Sequence, residues 1–103
     1  MSSVVGEGLV IEGNMVSRED VLVYGTLRGK LQSNEHITVG SGGVVEADVS
    51  AQSVSIAGQL TGDVAAVDRV DIQPGGRLVG DVRAARLTIS DGASFKGNVD
   101  MQM

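Results

Sequence analysis

The sequence predicts an all-β, single-domain parallel β-helix of about six short coils with no helices, and three observations predict it. A two-element apolar unit recurs five times, at steps of 16, 17, 16 and 17 residues. Inside each unit the apolar spacing is two, the period of a strand. The composition suits a thin aliphatic core. Of 103 residues 42% are hydrophobic, yet only Tyr24 and Phe95 are aromatic, while Gly occurs 15 times and Pro once.

The first element of the unit is an apolar pair at i and i+2: Val21 and Val23, Ile37 and Val39, Val54 and Ile56, Val70 and Ile72, Leu87 and Ile89. The second reads apolar–x–small–x–apolar: Leu27-x-Gly29-x-Leu31, Val45-x-Ala47-x-Val49, Leu60-x-Gly62-x-Val64, Leu78-x-Gly80-x-Val82 and Phe95-x-Gly97-x-Val99. The gap between them is tight at Tyr24–Thr26 and Ala57–Gln59. It is longer at Gly40–Val44, Gln73–Arg77 and Ser90–Ser94. Gly, Pro-Gly and Asp-Gly in those gaps are the residues that turns require.

A coil of this length cannot bury its apolar side alone, so stability must come from stacking on neighbouring coils about 4.8 Å away. Stacking produces inward columns: Val23/Val39/Ile56/Ile72/Ile89, Leu27/Val45/Leu60/Leu78/Phe95 and Leu31/Val49/Val64/Val82/Val99. The small column Gly29/Ala47/Gly62/Gly80/Gly97 is expected where opposing walls of a narrow tube approach closely. Outward positions such as Arg28, Lys30, Glu46, Asp48, Asp63, Asp81 and Lys96 are polar. A one-residue slip would bury them, which fixes the register.

Before Val21 the alternation continues through Leu9, Ile11, Gly13 and Met15, read as a partial first coil. The expected boundaries are a short N-terminal tail at 1–8, a β-helix at 9–101 and a C-terminal end at 102–103. No polar capping element is evident, although solenoids ordinarily need one. The C-terminal end is therefore expected to present Leu87, Ile89, Phe95, Val99 and Met101. The N-terminal end is expected to present Leu9, Ile11 and Met15. Unpaired strand edges template pairing with another chain, and a contact that does not close gives a filament.

Other functions find little support. A net charge of −5 opposes nucleic-acid binding, which needs clustered Lys and Arg. Without cysteine, disulfides and thiolate metal sites are excluded. There is no run of about 20 apolar residues and no signal-peptide pattern, so the expected location is cytoplasmic. No phosphate-binding loop appears, and no cofactor, metal or nucleotide is expected. The single histidine, His36, stands in a polar turn beside Asn34 and Glu35, where it can build neither a zinc site nor a catalytic arrangement. Asp48, Asp63 and Asp81 share an outward column, read as a hydrated acidic face. The competing reading is a trimeric left-handed β-helix of the acyltransferase type. It asks for sustained aliphatic-Gly hexads, and Val39-Gly40 is a lone example.

The chain resembles the bactofilins, bacterial polymer-forming cytoskeletal proteins. The matching features are Val5-Gly6-Glu7-Gly8-Leu9-Val10-Ile11-Glu12-Gly13, the Val23-x-Gly25-x-Leu27-x-Gly29 unit, and Asp91-Gly92-Ala93-Ser94-Phe95-Lys96-Gly97-Asn98-Val99-Asp100-Met101. The resemblance implies a right-handed β-helix. It implies nonpolar, nucleotide-independent filaments joined through terminal coils, with Phe95 at a subunit contact. It further implies roles in cell shape and in placing cell-wall or membrane-associated proteins. Members often attach to membranes through an N-terminal peptide. Met1, Val4 and Val5 are the only apolar residues before Leu9, which does not support that route here.

Overall fold

The computed structural model describes residues 2–101, with side chains for residues 4–100. Eleven strands occur: β1 (Ser2–Val5), β2 (Val10–Ser17), β3 (Asp20–Val23), β4 (Thr26–Ser33), β5 (His36–Val39), β6 (Val44–Ile56), β7 (Gln59–Thr61), β8 (Val64–Ile72), β9 (Arg77–Ala84), β10 (Arg86–Ile89) and β11 (Ser94–Met101). Among the described residues there is no helix. Every strand pairing is parallel. The chain climbs as a solenoid of about six windings; toward both ends a four-residue strand alternates with an eight-residue one, and in the middle the same sides run together in β6 and β8.

The registers reproduce the inward columns residue for residue. Val23, Val39, Ile56, Ile72 and Ile89 are successive partners, as are Leu27, Val45, Leu60, Leu78 and Phe95. The interior members of both columns are buried and form one aliphatic core running along the axis.

The first winding is more complete than the sequence analysis expects. Residues 2–5 are not a tail: Ser2–Val5 pair in register with Asp20–Val23, and Val5 is buried beneath Val23. The signal was present. Gly6-Glu7-Gly8-Leu9 repeats the turn Gly40-Ser41-Gly42-Gly43, and six positions separate Val5 from Ile11 just as they separate Val39 from Val45. In both turns the fourth N–H donates to the first carbonyl, at 3.2 Å for Leu9 on Gly6 and 2.9 Å for Gly43 on Gly40. Gln73-Pro74-Gly75-Gly76 is built the same way, with φ of +84° at Gly75. Pro in the second position and a left-handed Gly in the third define a type II turn.

The small column also has a different physical origin. Gly80 turns the corner between two sides with φ of +132°. A Cβ there would strike the carbonyl of Gly62 in the winding below. Successive windings, not opposite walls, demand the glycine. At the equivalent corner Ala47 has no positive φ, and its methyl group joins the core.

Candidate functional site: the two ends of the solenoid

Along the shaft, backbone donors and acceptors are consumed by the windings above and below. At the ends they are not. Among the described residues β10 pairs only with β8 and β11 only with β9, so the last winding has one free edge. At the opposite end β1 pairs only with β3, and β2 only with β4.

The C-terminal end gathers four of the five residues expected there. Phe95 and Leu87 are half-buried and pack against the core from one side, whereas Ile89 and Val99 are exposed. Their partners one winding below, Leu78, Val70, Ile72 and Val82, are buried. The difference is the missing next winding, because the side-chain direction is shared. The backbone of Met101 continues β11 opposite Ala84, and its side chain lies outside the described residues.

At the N-terminal end, Ile11 and Met15 play the same part beneath Leu27 and Leu31. Leu9 does not line the inside as its place in the alternation suggested. It closes the turn before β2, its carbonyl accepts from the Thr26 N–H at 2.9 Å, and it is 54% exposed. Turn residues escape the period-two rule, which holds only within strands.

Three residues at this end are not on the expected interface: Val4, Val10 and Val16. All point outward, and they are 57%, 60% and 72% exposed. In the next windings the column of Val4 carries Leu22, Thr38 and Ser55, that of Val10 carries Thr26, Val44 and Gln59, and that of Val16 carries Gln32, Ser50 and Ala65. The sequence held this signal in valines at Val4 of β1 and at Val10 and Val16 of β2, places where strands on the shaft often carry polar residues.

The shaft carries charge, not chemistry. Arg28 bridges Glu12 at 3.6 Å and Glu46 at 3.3 Å across three windings, with all three side chains well exposed. A shallow groove runs beside Asp48, Asp63 and Asp81, with Lys30 and Arg83 along it. No group of three or more metal-ligating side chains gathers among the described residues. His36 is exposed at the start of β5, its N–H donating to an Asp20 carboxylate oxygen at 3.3 Å. No described helix is long and apolar enough to cross a membrane.

A uniform stack with two free, apolar-lined edges defines a repeat-built structural protein. A family model, bactofilin, described as polymer-forming cytoskeletal, matches residues 3–100. The chain belongs to the bactofilin family. It is 47% identical over 102 residues to bactofilin BacO of Myxococcus xanthus strain DK1622, spanning 99% of this chain and 81% of that protein. It is 52% identical over 102 residues to bactofilin BacN of the same strain, spanning 99% and 90%. With bactofilin BacP it shares 39% over 100 residues, 97% of this chain but 42% of that protein.

Two solved structures share the fold. The cryo-EM reconstruction of Thermus thermophilus bactofilin double helical filaments matches with a TM-score of 0.92 at 28% identity, covering 97% of this chain and 99% of that one. The solid-state NMR structure of the cytoskeletal bactofilin BacA matches with a TM-score of 0.89 at 25% identity, covering 99% and 97%. This chain is accordingly a polymer-forming cytoskeletal protein and not an enzyme. Membership in the family displaces the acyltransferase-like alternative.

Proposed function

We propose that this protein polymerises end to end through its terminal windings, without nucleotide, into nonpolar filaments. The filaments act as a scaffold that supports cell shape and positions cell-wall or membrane-associated proteins at the inner face of the cell membrane. One observation carries the reading: both ends of the stack combine a free strand edge with incompletely buried apolar side chains, Phe95, Leu87 and Ile89 at one end and Ile11 and Met15 at the other. A free edge supplies hydrogen bonds and the apolar residues supply burial, so a second end completes what the next winding would have provided. The filament assembly of the Thermus thermophilus relative is consistent with it. The test is electron microscopy of the purified chain in nucleotide-free buffer. Filaments about as wide as a single solenoid, or paired ones, support the proposal. A monodisperse monomer at high concentration overturns it.

A further inference from the structure

We infer that the trough along the Asp48–Asp63–Asp81 face docks a short, extended, Lys- and Arg-rich segment, the cytoplasmic flank of a membrane-spanning helix in a partner protein. The proposal rests on the scaffold reading and adds to it where on the shaft a membrane-associated protein is held, and by what chemistry.

The strand registers build the trough from two outward columns. One carries Lys30, Asp48, Asp63 and Asp81, and the other carries Ser50, Ala65, Arg83 and Asp100. Asp63 falls between Asp48 and Asp81 because Val64, next to it, pairs with both Val49 and Val82. Ser50 and Ala65 are short, so the second column dips beside the carboxylates. The hollow measures about 560 Å³, inside the roughly 300–1,000 Å³ of pockets that hold ligand groups. Other columns match acid with base: Arg28 holds Glu12 and Glu46, and Arg83 holds Asp100. Among the described residues no ion pair reaches Asp48, Asp63 or Asp81, although Lys30 stands in register beside Asp48. All three carboxylates are exposed, and Asp81 accepts one hydrogen bond, from Asn98 Nδ2 at 3.3 Å. They stand one winding apart, about 4.8 Å, and like charges so placed repel. A cationic occupant relieves that repulsion.

Geometry and charge select the occupant. Among the described residues no three metal-ligating side chains converge, so the ladder is a poor cage for a lone divalent ion. Over two winding steps it is about 10 Å long, the reach of three residues of extended chain. Two or three neighbouring Lys or Arg side chains therefore satisfy it. Cytoplasmic flanks of membrane-spanning helices carry such residues in excess. The protein itself has a net charge of −5, which the anionic inner leaflet repels. A cationic segment that leaves the bilayer and enters the trough bridges the two. An anionic partner would meet Asp48, Asp63, Asp81 and Asp100 against only Lys30 and Arg83 on this face.

The probe is a fluorescein-labelled peptide, Lys-Arg-Lys-Ser-Arg-Lys, read by anisotropy against the full chain in about 0.1 M sodium chloride, where charges more than about 10 Å apart are screened. Asp48→Asn/Asp63→Asn/Asp81→Asn is expected to weaken binding at least about tenfold. Glu7→Gln/Glu35→Gln/Asp68→Asn removes the same charge from exposed positions outside the trough, and is expected to weaken it less than about threefold. Losing the ladder lifts a repulsion, so the first variant should fold, and circular dichroism checks it. The peptide is expected to raise the melting temperature of the wild type and of the second variant, but not of the first. With the peptide lipid-anchored to phosphatidylglycerol vesicles, wild-type protein is expected to co-sediment and the ladder variant to stay in the supernatant. Equal weakening by the two variants means attraction to net charge alone and overturns the proposal. Co-sedimentation of the wild type with bare vesicles overturns the bridging role. Wild-type filaments that ignore the peptide overturn the trough assignment and leave the end-to-end reading intact. Binding needs no filament, so wild-type protein that holds the peptide but never polymerises overturns the end-to-end reading and leaves the trough assignment standing.

Discussion

Phe95 lies in register over Leu78, yet Leu78 is buried and Phe95 is not. The two share a column and an inward direction, and they differ only in having a winding above them. The C-terminal end of the stack is thus the protein's own core, cut across.

That relationship sets the effect of Phe95→Arg. Phe95 is only partly buried, so an Arg side chain there can reach solvent past the end of the stack and the fold survives. A guanidinium buried in an apolar joint with no partner is strongly unfavourable. Phe95→Arg is expected to abolish filaments and leave a species no larger than a dimer, with a circular dichroism spectrum like that of the wild type. Phe95→Leu, which matches the rest of its column, is expected to keep filaments. Light scattering after size exclusion and negative-stain microscopy distinguish these outcomes.

Gly80→Ala probes the corner. At φ of +132° an alanine is strained, and its methyl group would strike the Gly62 carbonyl. The expected loss is at least about 1–3 kcal/mol, the usual cost of an unfavourable backbone state. Urea unfolding should show a lower midpoint with an unchanged slope. Ala47→Gly at the equivalent corner is expected to lose stability through a missing core methyl and added chain entropy, about 0.5–1 kcal/mol.

The two corners also show which parts of this fold a sequence can announce. Period-two alternation between fixed turns reports inward columns directly, so Leu27, Leu60 and Leu78 were legible as core. Why position 80 must be glycine was not legible, since the answer lies in the carbonyl of Gly62 18 residues away. Val5 was missed because strand β1 carries one buried valine where later windings carry an apolar pair, although its turn repeated the Gly40–Gly43 pattern. Val10 and Val16 were missed for a different reason. An outward valine looks like noise, the more so because Val44 and Ala65 recur in the columns of Val10 and Val16 higher up the stack.

Core depth separates two further substitutions. Leu60 is fully buried between Val45 and Leu78 in the central windings. Leu60→Ala is expected to cost about 2–5 kcal/mol, the range for truncating a buried leucine where the walls cannot collapse. Val67 sits at the bend within β8 and is 80% exposed, so Val67→Ser is expected to change stability by no more than about 0.5 kcal/mol. Thermal unfolding should rank them in that order. Equal shifts would mean that the windings unzip locally and not as one unit, a known risk in one-dimensional repeat folds.

The Glu12–Arg28–Glu46 ladder is where charge and stacking meet. Its N–O separations are 3.6 and 3.3 Å, but all three side chains remain more than half exposed. Water and salt screen such bridges, so Arg28→Ala is expected to cost less than about 1 kcal/mol. Arg28→Glu is a different case, because three carboxylates then stand on neighbouring windings at positions fixed by the strand register. Like charges directly across a ladder are destabilising by an amount that falls with ionic strength. The expected signature is a melting temperature below that of Arg28→Ala in dilute buffer, with the gap narrowing toward zero in molar sodium chloride. A gap that does not change with salt would assign the loss to the packing of the Arg28 stem over the strand surface and not to charge.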